Sequence, residues 1–515
     1  MWHKDFADTP RGKDCPVRFC GKAINTMRRE ESRPAASTSL AAQLLQAIAH
    51  EALAAGDPIA AVRRAVHARP EHLGLCGRAV SLGRKGRLLV MAFGKAAPAM
   101  LIGLLQRFKE AGGRRALDGL LIFPRGAESP RKAAAPPVQL QAALADLRMP
   151  ASRCRLKLVA AEHPVPLNGS FAAGKTALRF ASRAGVGDDV VFLASGGGSA
   201  LMAAPLPGLM KETDKTNLHR VLLASGAPIT AINTVRKHLS AVKGGRVAVA
   251  ARRAATQSTL VMCDVDPERY DEVASGPSLA DRTTLDDMIR AIDRYGIAPA
   301  LPVRVLEAMR TGRIPETPKP KDKIFKRSRS EAILSNRDLR NAAVRGGLTR
   351  GLPAEAFPAD VTGTVETTVE MVARAIETAP PGTRLLVLGG EVLTVPVAPA
   401  QGGRAQELAL RLALRMAGLG SRPWAFLALG SDGTDGNSPA AGAYVDQTTL
   451  QRARLARLDP ERALRDSATY KFFKRLNDDF TTGPTGTNLR DLYLLLTGPA
   501  TPIRKTIDPL RTPLP

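Results

Sequence analysis

The feature that most constrains this chain is a recurring pattern. A short apolar run stops at glycine and gives way at once to polar or acidic residues. Between Arg384 and Asp446 it occurs twice. Leu385–Leu388 ends in Gly389-Gly390-Glu391, and Ala425–Leu429 ends in Gly430-Ser431-Asp432-Gly433-Thr434-Asp435-Gly436. Runs of this length bounded by glycine read as buried parallel strands. Between them, Gly402-Gly403-Arg404 opens a helix in which Leu408, Leu412 and Met416 recur at helical spacing beside Ala409 and Ala413. The product is a strand–turn–helix–strand unit, with an arginine at the helix start and two aspartates after the second strand. In open α/β sheets ligands bind beyond the carboxyl ends of the strands, which is where these residues fall.

The same grammar governs the first half. Arg87–Ala92 runs into Phe93-Gly94-Lys95-Ala96-Ala97, and Leu120–Phe123 forms a second run. Leu156–Ala160 leads to Glu162-His163-Pro164-Val165-Pro166, and Asp189–Ala194 to Ser195-Gly196-Gly197-Gly198-Ser199. Ser258–Cys263 ends in Asp264-Val265-Asp266. Helical segments alternate with these runs, beginning after Ser39, an N-cap for Leu40, Leu44, Leu45 and Ile48. Such alternation predicts an α/β fold with a mostly parallel sheet and helices on both faces. Residues 311–331, rich in proline and lysine, read as an exposed connection with an edge strand at its end. Residues 1–36 carry no apolar period and read as a flexible arm, with Met27 an alternative start.

Composition narrows the function classes. A chain of 515 residues has length for two or three domains. Its formal charge of +26 is compatible with a nucleic-acid partner, an acidic surface or an anionic small substrate. Aromatic residues make up only 4%, too few to supply stacking platforms, which disfavours nucleic acid. The five cysteines, at 15, 20, 76, 154 and 263, form no C-x-x-C pair, so neither a disulfide framework nor a zinc knuckle is indicated. No run approaches the length of a membrane span and no apolar signal core opens the chain, which is read as cytoplasmic.

Successive glycines at Ser195–Ser199 let backbone N–H groups approach an anion, and Lys95 can offer an ammonium to a phosphate. Leu201 stands where G-x-G-x-x-G needs its last glycine, so a dinucleotide site is unsupported here. Asn233-Thr234-Val235-Arg236-Lys237-His238, continuing to Lys243, gathers basic side chains, but on a helix Lys237 would point away from Arg236. His163 and His238 are isolated and read as packed or capping residues. Gly169-Ser170-Phe171-Ala172-Ala173-Gly174-Lys175-Thr176 matches the P-loop pattern letter for letter. A true P-loop springs from a buried strand, whereas Pro164, Pro166 and Asn168 intervene here. An ordinary amphipathic helix capped by Ser170 is expected instead.

Taken in order, these motifs resemble the glycerate 2-kinase family, also known under the name hydroxypyruvate reductase, whose C-terminal half is the MOFRL domain. The motifs are Gly94-Lys95-Ala96, His163–Pro166, Ser195–Ala200, Asn233–Gly245, Asp264 with Ala274–Pro277, Gly389-Gly390-Glu391, Gly402-Gly403-Arg404, Asp432–Gly436 with Ala440–Gly442, and Thr482–Asn488. The resemblance spans roughly residues 38–498. It implies an N-terminal Rossmann-like α/β/α domain with a parallel sheet (37–310), a basic connection (311–335), and a C-terminal α/β region (336–498) holding the MOFRL domain from about 384. A tail follows at 499–515, and the active site lies in the cleft between the domains.

The implied reaction is phosphorylation of D-glycerate at the 2-hydroxyl with ATP and Mg²⁺, by a monomer or homodimer with no membrane partner. The family's catalytic lysine and arginine map onto Lys95 and Arg404. Substrate and phosphate binding would fall to Ser195, Gly196, Gly197, Gly198, Ser199, Asn233, Arg236, Lys237, His238, Lys243 and Asp264. Glu391, Asp432 and Asp435 are the Mg²⁺ candidates, since Mg²⁺ binds through one or two carboxylates plus phosphates. The chain departs from the family at Ala405, where asparagine is usual, at Cys263, where a small hydroxyl residue is usual, and at Val265-Asp266-Pro267-Glu268, which lacks an expected glycine. The alternative activity is NAD(P)H-dependent reduction of hydroxypyruvate.

Overall fold

The computed structural model describes residues 39–83, 85–125, 138–146, 153–393, 401–418 and 422–498. The expected arm at 1–36, the tail at 499–515, Cys15 and Cys20 lie outside the described residues. Three short strands, β1 (His67–Arg69), β2 (His72–Leu75) and β3 (Arg78–Ser81), form an antiparallel meander that the sequence reading did not identify. Six strands then build the first sheet. They are β4 (Arg87–Phe93), β5 (Ala116–Pro124), β6 (Cys154–Ala161), β7 (Asp189–Ala194), β8 (Thr256–Met262) and β9 (Ser328–Leu334), in the order β6-β5-β4-β7-β8-β9. Every neighbouring pair is parallel. The edge strand expected at the end of the basic connection is β9.

Parallel strands need crossovers, and the crossover helices cover both faces. The side chains of β4 therefore alternate between two cores: Leu88, Val90 and Ala92 enter one, and Leu89, Met91 and Phe93 the other. A separate apolar cluster joins four helices, Glu212–Ala224, Ile229–His238, Leu285–Arg294 and Val303–Arg310, through Leu218, Leu222, Val235, Met288, Ile292 and Val305. This helical cap rises beside the carboxyl end of the first sheet.

The second sheet comprises β10 (Ala354–Ala356), β11 (Arg384–Gly390), β12 (Trp424–Gly430), β13 (Gly442–Asp446), β14 (Asp479–Phe480) and β15 (Asp491–Thr497), ordered β10-β11-β15-β12-β13-β14. Here the two runs read as buried parallel strands, β11 and β12, do point the same way but are not paired with each other. β15 is inserted between β11 and β12 and runs antiparallel to both, as β13 does to β12. Its apolar run resembles a buried strand of either sense, and nothing in the run itself records direction. The helix Arg404–Arg415 does follow β11, with Leu408, Ala409, Leu412 and Ala413 buried as expected.

The two sheets share a core. Leu427 and Leu429 of β12, Leu492 and Leu494 of β15, and Leu88 and Val90 of β4 belong to one apolar cluster. The first helix, Leu40–Ala55, packs against Asn336–Leu348 and the second sheet, and Glu51 holds Arg350 at 2.6 Å. By contact it serves the second sheet although it precedes the first in the chain.

Candidate active site

Register decides which side chains meet. Phe93 of β4 lies opposite Ala194 of β7, and Ala194 lies opposite Val261 of β8. Lys95, the Ser195–Ser199 loop and Asp264 therefore emerge side by side. The Lys95 N–H donates to the Gly196 carbonyl at 2.9 Å, and the Ala96 N–H to Ser195 Oγ at 3.1 Å. Gly94 sits at φ 121°, where an added Cβ would lie 2.2 Å from Ser195 Oγ. At Gly196 a Cβ would lie 2.2 Å from Asp264 Oδ2, so glycine is what lets the carboxylate approach the loop.

In the second sheet Gly390, Asp491 and Gly430 stand in one register row. The ends of β11 and β12 and the beginning of β15 thus form one edge. From it project Glu391, Asp491 and Asp432. Arg404 opens the neighbouring helix and reaches across. Its Nε donates to Asp491 Oδ2 at 2.7 Å and its Nη2 to Asp491 Oδ1 at 3.0 Å, while Nη1 is held by Glu391. Burial alone would lower the Arg404 pKa, but Asp491 and Glu391 raise it above its ordinary value. Burial in turn pushes Asp491 up to about 6 against the pull of Arg404, and Tyr493 donates to it at 3.0 Å.

The two edges enclose a cavity of about 560 Å³, lined by Lys95 from the first sheet and by Glu391, Arg404, Asp432, Asp435 and Asp491 from the second. A smaller pocket of about 170 Å³ adjoins the glycine loop, lined by His163, Ser199, Asn233, Arg236, Asp264 and Glu272. Asp264 links the two spaces electrostatically. Burial raises it to about 6, the negative charge of Glu391 adds to that rise, and Lys95 and Arg490 oppose it. Burial with the charges of Lys95 and Arg236 lowers His163 to about 4, which keeps the imidazole neutral.

Several expected positions are not in either space. Lys237 is buried and donates to Asp281 at 3.1 Å. His238 bridges the Thr234 carbonyl and Glu316. Both point away because the helix Ile229–His238 presents Asn233 and Arg236, three residues apart, to the pocket. Lys243 lies beyond that helix, buried behind the glycine loop, with Nζ donating to the Ser199 carbonyl at 2.8 Å. It supports the loop from below.

Among the Mg²⁺ candidates, Asp435 accepts from the Ala405 and Gln406 N–H groups at 3.0 and 2.8 Å, capping the helix that carries Arg404. Both of its oxygens are occupied by the helix, so it is a positioning carboxylate. Glu391 is held by Arg404. Asp432, half-buried, uses Oδ1 for the Thr434 N–H and hydroxyl and lines the cavity, which fits a Mg²⁺ ligand. No cluster of three or more His, Cys, Asp or Glu side chains suited to a metal exists among the described residues. Mg²⁺ bound largely through phosphates needs none.

The P-loop look-alike lies inside the helix Asn168–Ser182, whose exposed Lys175 pairs with Glu212 at 2.8 Å. The helix begins two residues before Ser170, which is buried and bonded to Glu162 instead of serving as the N-cap. Sequence reading missed Asp491, because it sits at the start of a strand, where a parallel sheet carries no function. It also passed over His163, whose role as pocket lining is set by neighbours distant in sequence.

Residues 44–310 match the model of a domain of unknown function, DUF4147, and residues 384–491 match the MOFRL family. A glycerate 2-kinase of Pyrococcus horikoshii is 31% identical over 458 residues, covering 87% of this chain and 95% of that one. This chain belongs to the glycerate 2-kinase family. A human glycerate kinase is 30% identical, with 92% of this chain and 96% of that protein covered. A relative in Agrobacterium vitis that carries a provisional hydroxypyruvate reductase name is 34% identical over 465 residues, covering 89% and 95%. The crystal structure of a glycerate kinase from Thermotoga maritima superposes with a TM-score of 0.68 at 28% identity, over 89% of this chain and 99% of that one. Within the glycerate 2-kinase family frame, Ala405 is fully buried, and its N–H bond to Asp435 is one that any residue but proline could make. Among the described residues no helix is long and apolar enough to cross a membrane.

Proposed function

We propose that the protein transfers the γ-phosphoryl group of ATP to the 2-hydroxyl of D-glycerate, with Mg²⁺. The observation that carries this reading is that Lys95 and Arg404, from different sheets, line one cavity. Phosphoryl transfer asks for positioning and charge neutralisation more than covalent chemistry. The larger cavity takes the nucleotide phosphates. The small pocket takes the acid, its carboxylate against Arg236, Asn233 and Ser199. Asp264, between them and near neutrality in pKa, accepts the proton of the 2-hydroxyl. Lys95 offers a point charge to the transferring group. Arg404 is gripped bidentately by Asp491, so Nη1 is the donor it can offer once the exposed Glu391 yields. Mg²⁺, when bound, neutralises phosphate charge, and Asp432 is the side chain that would hold it.

The test is incubation of purified protein with D-glycerate, ATP and Mg²⁺, separating 2- from 3-phosphoglycerate. The expected product is 2-phosphoglycerate. Exclusive 3-phosphoglycerate, or NADH-dependent turnover of hydroxypyruvate without phosphorylation, overturns the reading.

A further inference from the structure

Arg236 of the small pocket belongs to a group of buried basic side chains, and the other members have no part in the reading above. On the helix Glu212–Ala224, Lys215, His219 and Leu223 recur every four residues and share one face. Leu223 lines the pocket, while His219 and Lys215, about one and two turns earlier on the helix, are fully buried. Lys215 Nζ donates to the Leu239 carbonyl at 2.7 Å, just past the helix that presents Asn233 and Arg236. Both ring nitrogens of His219 are without a hydrogen-bond partner, as is Nε of the buried Arg236. Lys243 completes the group behind Ser199. Among the described residues, none of these four side chains forms an ion pair.

Burying basic groups without an acid is costly, and ordinarily one of two things relieves it: loss of protons, or arrival of an anion. Both are available here. The pocket is open to a small ligand, and its wall is Arg236 and Ser199. Burial, then the charges of Arg236 and Arg246, lowers Lys215 to about 7, and Lys243 and His219 lie well below their ordinary values. The other ionisable groups facing this region are His163, Lys95, Asp264 and Glu272 around the pocket. Arg246 is itself balanced by Asp281 and Glu316.

We propose that Lys215 links acid binding to protonation: it takes up a proton from solvent when a carboxylate settles on Arg236 and Ser199, so the buried cluster behind Arg236 gains a further cation only with an anion in place. The inference rests on the reading of this pocket as the glycerate pocket. Lys215 is suited to the task because a single carbonyl accepts from its Nζ and because the anion cancels the repulsion from Arg236. Acid binding is then linked to proton uptake, and affinity falls as pH rises above about 7.

The experiment is titration calorimetry of the full protein with D-glycerate, in Tris and in PIPES, from pH 6 to pH 8. The expected result is a buffer-dependent heat showing uptake of a fraction of a proton near neutral pH and approaching about one proton at the alkaline end, with Kd rising by up to about tenfold per pH unit there. Uptake by Asp264, which titrates near 6, would fade over the same range. Lys215→Met should still bind the acid, more weakly, without uptake at pH 8, and Lys215→Gln serves if the first variant does not fold. Heats independent of buffer in the wild type, or uptake unchanged in a folded Lys215 variant, overturn the inference. The phosphotransfer assay on the same preparation separates the two levels. Glycerate phosphorylated without proton uptake defeats this inference alone. Glycerate neither bound nor phosphorylated defeats the reading of the pocket, and this inference with it.

Discussion

The two sheets present their chemistry at their edges, but by different rules. In the first, every strand is parallel, so function collects at carboxyl ends: Lys95 after β4, the glycine loop after β7 and Asp264 after β8. In the second, the antiparallel β15 brings its amino end to the same edge as the carboxyl ends of β11 and β12, and Asp491 enters the site there. The first edge supplies a lysine after a glycine turn, a point charge on an unbranched stem. The second supplies an arginine clamped by a carboxylate pair and set on a helix capped by Asp435. A site split in this way assembles its charge from a point-charge ammonium on one sheet and a carboxylate-clamped guanidinium on the other.

The largest test of that contrast removes each donor. Arg404→Ala and Lys95→Ala should each lower kcat by about 10³-fold or more, with circular dichroism unchanged, since a cation on a transferring phosphoryl group is worth about 10³–10⁵. Arg404→Lys should rescue poorly, because an ammonium cannot grip Asp491 at two points while reaching elsewhere. Next in size is Asp491→Asn. It leaves Arg404 present but loosens its orientation, and a loss of about 10²-fold in kcat is expected. A loss within twofold would mean that the clamp is only structural.

The first edge should carry the pH dependence. Asp264 must be ionised to act as base, so kcat/KM should rise with pH through about 6, ahead of the fall above about 7 expected from Lys215, and Asp264→Asn should abolish the rising limb. A limb that survives the substitution belongs to another group. The smallest effect is expected at Lys175, on the exposed face of its helix. Lys175→Ala should change turnover by less than twofold, and a collapse of activity in the folded variant would revive a phosphate-binding role for that segment.

The first sheet was the more legible in sequence, for a physical reason. A strand buried on both faces reads as an unbroken apolar run, and parallel topology then fixes which end matters. Asp189–Ala194 is matched residue for residue by β7, and Arg87–Ala92 falls one residue short of β4. The second sheet hides its direction: Leu492–Leu496 is as apolar as any strand, yet it is the residue before it that reaches the site. Likewise the basic cluster at 233–243 showed its composition but not its partners. Lys237 and His238 are claimed by Asp281 and Glu316, contacts made across more than forty residues that no local spacing reveals. The P-loop pattern was the reverse case, a local match without its context.

The central claim is that the two edges act on one phosphoryl group, and the most direct test is a double-mutant cycle. The four proteins are wild type, Lys95→Ala, Arg404→Ala and the double variant, compared by kcat for ATP-dependent phosphorylation of D-glycerate. If both side chains stabilise the same transition state, the double variant should lose far less than the product of the two single losses. Full multiplicativity would show that Lys95 and Arg404 act independently, and would contradict a single site shared by the two sheets.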